Sequence, residues 1–177
     1  MGPGLRPGQA ERSSAVAERE GHGFSRADRA TIKERASAPG GAINASFAVH
    51  ALTDVTGFGL IGHARELALA SNVSLTIYAG RVPLLEGAIE CVRAGYTPGG
   101  LKNNRDFAEC LVEYDDRVPD DLRAILFDPQ TAGGLLISVA KDDAAGLIQA
   151  LTDAGIPVAQ IGEVHARRKP TITVKWE

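Results

Sequence analysis

Several residue types that mark specialised proteins are scarce in this chain of 177 residues. Its two cysteines, Cys91 and Cys110, are too few to staple a small fold. That excludes a disulfide scaffold and points to a reducing, cytoplasmic setting. No apolar run approaches the ~20 residues that a membrane-spanning helix needs. The opening stretch, MGPGLRPGQAERSS, has no apolar segment, so no secretory signal is expected. Charge of one sign is lacking too: 19 basic residues against 22 acidic ones give a net charge of −3. A broad cationic surface for nucleic acid is therefore not expected. Finally, a chain of this length holds one core comfortably but not a two-domain nucleotide enzyme.

What is present is unevenly distributed. Residues 1–48 carry 7 basic and 5 acidic side chains, leaving 12 and 17 for the remainder. The same stretch is rich in Gly, Ala, Ser and Arg, and its few large apolar residues keep no period. Residues 1–45 are expected to be a poorly ordered or irregular tail, set off by the break Pro39-Gly40-Gly41, and residues 46–177 the folded domain.

From Ser46 onward the pattern sharpens. SFAVHALTDV places Phe47, Val49, Ala51 and Val55 at alternating positions, as a strand would. It runs into TGFGLIGHARELALAS, where Leu60, Ile61, Ala64, Leu67 and Ala68 form one helical face, with Thr56 as N-cap. VSLTIY reads as a strand. Pro83 opens a helix presenting Leu84, Leu85, Ala88, Cys91 and Val92 and closed by Gly95. YTPGGLKNNRD reads as a loop, with short helices over 107–112 and 119–126. A strongly apolar strand covers Leu135 to Val139, a helix 142–154, and two strands, 158–164 and 171–176, close the chain. This mixed order predicts an α/β (α+β) fold with a mixed sheet covered by helices.

Three segments carry candidate chemistry. Gly57-Phe58-Gly59-Leu60-Ile61-Gly62 matches G-x-G-x-x-G between a strand and a helix, the setting of a dinucleotide fingerprint. That fingerprint wants an acidic residue ~20 positions on, at the end of the next strand; here that strand ends in Ala79-Gly80-Arg81. Asp54, three residues before the first glycine, would repel a pyrophosphate held directly by amides. A divalent cation between them removes the repulsion, because Mg²⁺ is commonly held by one or two carboxylates plus phosphate oxygens. On these residues alone, a metal-bridged phosphate site and a simple helix cap with close-packing glycines stand level. The second segment, Asp128-Pro129-Gln130-Thr131-Ala132-Gly133-Gly134, could turn successive N–H groups into an anion-binding nest, or be a tight turn entering a buried strand. The third, Pro98 to Arg105, offers amide and cationic donors, or is a plain polar loop. His50 and His63 read as packing or capping residues, and both cysteines as core or surface thiols.

In order and separation, HALTDVTGFGLIGHARELA, the PGG-x-x-x-N segment and FDPQTAGGLLISV resemble the C-terminal half of the selenophosphate synthetase (selenide, water dikinase) family. That family belongs to the superfamily that includes aminoimidazole ribonucleotide synthetase. The resemblance covers about residues 46–177 and implies the C-terminal domain fold of that superfamily. It also implies a share in converting ATP, selenide and water into selenophosphate, AMP and phosphate, with Mg²⁺ as cofactor and a homodimeric assembly. Asp54 would be a metal ligand; Thr53, Thr56, Gly57, Asn104, Gln130, Thr131, Gly133 and Gly134 would line the nucleotide-phosphate cleft. No membrane or nucleic-acid partner is implied. The family's ATP-binding half, which carries the catalytic Cys or selenocysteine and a nearby Lys, has no counterpart in residues 1–45, where Lys33 is the lone lysine and cysteine is absent. No catalytic residue is therefore expected in this chain, and its short length is expected to mark an incomplete enzyme, inactive alone. Leu101 and Ala132 depart from the Thr and Ser usual at those motif positions, each removing a hydroxyl. A non-catalytic dimerisation or interaction module is the competing expectation.

Overall fold

The computed structural model describes residues 46–177; the expected tail lies outside them. Two separate sheets organise the domain. Strand β1 (Val49–Asp54) pairs antiparallel with β4 (Leu135–Val139), with Asp54 opposite Leu135. The second sheet has the order β3-β6-β2-β5, formed by β2 (Val73–Tyr78), β3 (Val112–Tyr114), β5 (Gly162–Ala166) and β6 (Ile172–Lys175). Within it β6 runs parallel to β2 and β3, while β5 is antiparallel to β2. The helices are α1 (Gly59–Ala70), α2 (Ala88–Arg93), α3 (Gly99–Ala108), α4 (Asp120–Ile125) and α5 (Ala144–Asp153). This is the mixed α/β class that the sequence predicts, with its strands divided between a ribbon and a four-stranded sheet. Among the described residues, no helix is long and apolar enough to cross a membrane.

The core lies where helices cover the larger sheet. Ile61, Ala64 and Ala68 of α1 pack with Leu75 and Ile77 of β2, Ile172 and Val174 of β6, and Leu126 and Phe127 after α4. Spacing of i, i+3 and i+7 puts those three α1 residues on one stripe, as read from the sequence. Strand β2 is buried on both faces, since Ser74 and Thr76 are as buried as Leu75. Their hydroxyls are satisfied across the sheet. Ser74 Oγ donates to the Arg168 carbonyl at 2.9 Å and accepts its N–H at 2.8 Å, and Thr76 Oγ1 meets His165 Nε2 at 2.9 Å. Buried hydroxyls with such partners escape the desolvation cost of unpaired ones.

Several expected elements are corrected. The segment read as a polar loop is helix α3, entered from Pro98 at φ −66° and ψ 146°. The Pro-Gly-Gly start hid an inward face formed by Leu101, Asn104 and Ala108, again at i, i+3 and i+7. Leu101, where a hydroxyl was missed, is a core residue. The helix expected over 107–112 is instead the end of α3, one 3₁₀ turn and β3. Helix α2 begins only at Ala88, because Gly87 sits at φ +78° and interrupts the run from Pro83; Leu84 and Leu85 are exposed. Its close at Gly95 is as read. Gly95 N–H reaches the Val92 carbonyl and Tyr96 N–H the Cys91 carbonyl, the paired bonds of a Schellman motif. β5 starts at Gly162 rather than at 158, in the register set by β2, and is the outer strand of its sheet. The most apolar strand, β4, is only half-buried, with Leu135 63% exposed.

Candidate functional site

The TDVTGFG turn and the DPQTAGG turn, more than 70 residues apart, are joined backbone to backbone. Val55 N–H donates to the Gly134 carbonyl at 2.9 Å, and Gly133 N–H returns to the Val55 carbonyl at 2.9 Å. Gln130 N–H donates to the Thr56 carbonyl at 3.0 Å. These bonds continue the β1–β4 ladder past its last pair, so both turns leave the same end of one ribbon.

Two glycines allow this closeness. Gly59 has φ +68°, and a Cβ there would lie 2.8 Å from the Phe127 carbonyl carbon and 2.9 Å from the Asp128 carbonyl oxygen. At Gly133 a Cβ would lie 2.9 Å from the Val55 carbonyl oxygen. No other residue fits either place without moving backbone.

The third segment joins through Asn104. Its buried amide nitrogen donates to the Gly57 carbonyl at 2.8 Å and to the Phe127 carbonyl at 3.0 Å. One side chain thereby clasps the glycine turn to the segment leading into DPQTAGG. Periodicity on α3, once that helix is recognised, puts Asn104 on the inner face; the loop reading concealed it. Lys102 and Arg105, expected as loop donors, pair along the helix surface with Asp106 at 2.6 Å and Glu109 at 3.8 Å.

Asp54 ends β1 with an exposed side chain. Thr53 is half-buried beside it, its hydroxyl 3.2 Å from the Asp54 carbonyl. Gly57 is exposed, with open space where a side chain would stand. Thr131, Gly133 and Gly134 are exposed too, and Gly134 has φ +85°. The nest is reduced relative to expectation, because the N–H groups of Gln130 and Gly133 are taken by Thr56 and Val55. Gln130 Nε2 is directed at its own turn, donating to Asp128 Oδ2 at 2.5 Å. Burial raises the Asp128 carboxyl above its ordinary value, and that hydrogen bond pulls it partly back.

Thr56 does not cap α1. The residue before the helix is Phe58, without a side-chain cap, and Thr56 instead faces His63. Its N–H lies 3.0 Å and its hydroxyl 3.2 Å from His63 Nε2. Burial lowers the His63 pKa, against the opposing pull of the Asp54 and Glu66 carboxylates. Sequence reading treated this histidine as packing or capping, and nothing in its spacing singled out the turn that it reaches. His50 is exposed on β1, and both cysteines are exposed and free.

As a cation site the donor set is partial. Asp54 offers one exposed carboxylate, and among the described residues no group of three or more His, Cys, Asp or Glu comes together. One strand-end carboxylate suits Mg²⁺, which takes its remaining oxygens from phosphates and water. A cavity of about 540 Å³ lies elsewhere, lined by residues that include Arg105, Tyr114, Asp121 and Arg123. It contains no residue of the three sequence-predicted segments except Arg105, and its arginines face carboxylates: Arg105–Glu109 at 3.8 Å and Arg123–Asp120 at 3.6 Å.

Together these features define an α/β domain whose two glycine turns meet beside a strand-end aspartate. The chain belongs to the family described as AIR synthase related protein, C-terminal domain, whose family model matches residues 6–175. It is 46% identical over 119 residues to a selenide, water dikinase of Pelobacter propionicus, covering 67% of this chain and 34% of that protein. It is 41% identical over 129 residues to a selenide, water dikinase of Clostridioides difficile, covering 72% and 37%. The chain thus spans about a third of the length of the curated relatives it matches. A thiamine-monophosphate kinase from Stenotrophomonas maltophilia K279a resembles it structurally at 21% identity and a TM-score of 0.48, over 76% of this chain and 33% of that one.

Proposed function

We propose that residues 46–177 serve as the C-terminal domain of a selenide, water dikinase and present Asp54 to a Mg²⁺-bound nucleotide phosphate. One observation carries this reading: an exposed carboxylate ends a strand where two glycine turns are hydrogen-bonded to each other. Bound Mg²⁺ would neutralise phosphate oxygen charge, the main requirement of phosphoryl transfer apart from positioning. The chain's own part is to hold Asp54 and to keep the Thr53, Thr56 and Gly57 turn open beside it. The Thr131–Gly134 edge lines the same face, and Asn104 acts from behind by fixing the Gly57 carbonyl. ATP, selenide, a homodimeric assembly and a cytoplasmic setting belong to the same reading, as does dependence on an ATP-binding half.

The test is to mix the chain with a separately expressed ATP-binding half of a related dikinase and to measure AMP release that needs both ATP and selenide. Activity is expected only in the mixture, and Asp54→Ala is expected to abolish it while leaving the melting temperature unchanged. Activity of the chain alone, or a mixture indifferent to Asp54→Ala, overturns the reading. Binding of the two parts without restored activity, unaffected by Asp54→Ala, supports the alternative of a non-catalytic interaction module.

A further inference from the structure

We infer that His63 is the positioning residue of the Asp54–Gly57 turn, working as a neutral imidazole whose bare Nε2 accepts the Thr56 N–H. The inference rests on the reading of that turn as the metal- and phosphate-facing edge.

The tautomer follows from the donor. A backbone amide can only donate, and it points at Nε2 from 3.0 Å. Nε2 must then offer its lone pair, which leaves the ring proton on Nδ1. One lone pair cannot take two protons in line. The Thr56 hydroxyl, 3.2 Å from the same nitrogen, is the weaker claimant, and its proton can turn outward to an oxygen anion.

Packing fixes the ring in this pose. The Phe58 ring lies 5.6 Å from the imidazole at 45°, and stacks on Phe107 at 5.8 Å with an interplanar angle of 25°. The Arg65 guanidinium sits 4.1 Å from the centre of the Phe107 ring. His63 therefore reaches from the fifth residue of α1 across the helix start and ties down a turn that has no side-chain cap.

A neutral ring has a second consequence. An imidazolium beside Asp54 would compete with a divalent cation for that carboxylate; a neutral ring leaves the whole negative charge for the metal. The arrangement thus holds the turn without adding positive charge to the place where the metal binds.

The experiment uses the whole ¹⁵N-labelled chain. Long-range ring correlations are expected to show His63 with Nδ1 protonated and Nε2 bare at neutral pH; a proton on Nε2 overturns the inference. Two variants follow. His63→Gln places a carbonyl oxygen near the Nε2 position, and His63→Leu offers no acceptor. Hydrogen exchange at the Thr56 amide is expected to accelerate about tenfold in His63→Leu, as losing one net hydrogen bond implies, and to return toward wild type in His63→Gln. In the reconstituted mixture, His63→Leu should raise the Mg²⁺ concentration needed for half-maximal AMP release, and His63→Gln should restore it. Unchanged exchange and unchanged Mg²⁺ requirement in His63→Leu overturn the role. If His63→Leu fails to fold, the wild-type tautomer and the His63→Gln exchange decide. A wild-type mixture without activity defeats the proposed function, whereas the tautomer and exchange results judge His63 independently.

Discussion

Strands β1 and β2 are both six residues long, yet β2 is buried at five of them while β1 is exposed or half-buried at all six. The contrast extends to their sheets. Around β2 and β6, stability comes from apolar area removed from water: Ile61, Leu75, Ile77, Ile172, Val174 and Phe127 form one continuous core. Around β1 and β4, order comes from backbone ladders, the extra bonds among Val55, Gly133, Gly134, Gln130 and Thr56, and the Asn104 clasp. Burial is non-directional and tolerates small shifts; hydrogen bonds fix positions. The domain therefore uses one sheet to stay folded and the other to hold polar groups in place where solvent and ligand can reach them.

The largest effect expected from this division is at the centre of the larger sheet. Ile172 is fully buried and lies in register with both Leu75 and Val112. Ile172→Ala should cost about 2–5 kcal/mol, read from the urea midpoint. The matched change on the ribbon, Leu135→Ala, should stay within about 0.5 kcal/mol, because Leu135 is 63% exposed. Equal losses at the two sites would erase the distinction between the sheets.

The same division explains how much was legible in the sequence. Periodicity reports burial, so α1 was found with its face, and β2 and the apolar run of β4 with their limits. The elements misread were those where glycine and proline outweighed a sparse apolar stripe: α3 behind Pro98-Gly99-Gly100, and α2 behind Gly87. At the candidate site, Asp54 and the glycine turns stood out by local electrostatics and turn chemistry. What joins them did not, because the bonds from Gly133 to Val55, from Asn104 to Phe127 and from His63 to Thr56 depend on tertiary contact. The family motif named Asn104, but only its place at i, i+3, i+7 on α3 signals that it points inward. Burial of β4 was overestimated for a related reason: apolar composition tells what a strand can bury, not what covers it.

An intermediate effect is expected where the two regions are sewn together. Asn104 is buried on the core side of α3, yet its amide serves the Gly57 and Phe127 carbonyls. Asn104→Leu keeps the apolar packing of the helix but leaves the buried Phe127 carbonyl without this donor. The loss should be about 1–3 kcal/mol in thermal or urea unfolding. Faster amide exchange should be confined to the glycine turn and the 127–134 segment, with β2 and β6 still protected. Exchange that rises uniformly over both sheets would mean that the two regions unfold as one unit.

The smallest effect should appear at Asp128, and it should depend on pH. Burial raises this carboxyl above its ordinary 3.8, and the Gln130 hydrogen bond only partly offsets that. A group whose pKa is raised on folding contributes stability that is fully present below the unfolded value and is lost as pH rises through the folded value. At neutral pH the carboxylate is therefore an electrostatic burden on the DPQTAGG turn. Asp128→Asn removes the charge and keeps an oxygen for Gln130 Nε2, so the variant should melt slightly above wild type at pH 7. The difference between the two should shrink as pH falls and vanish below about 3.8, where both side chains are neutral. A difference that persists unchanged at low pH would trace the gain to packing rather than charge. A variant that melts lower at pH 7 would show that the carboxylate is compensated in the turn, and that this part of the ribbon end is held by charge as well as by backbone hydrogen bonds.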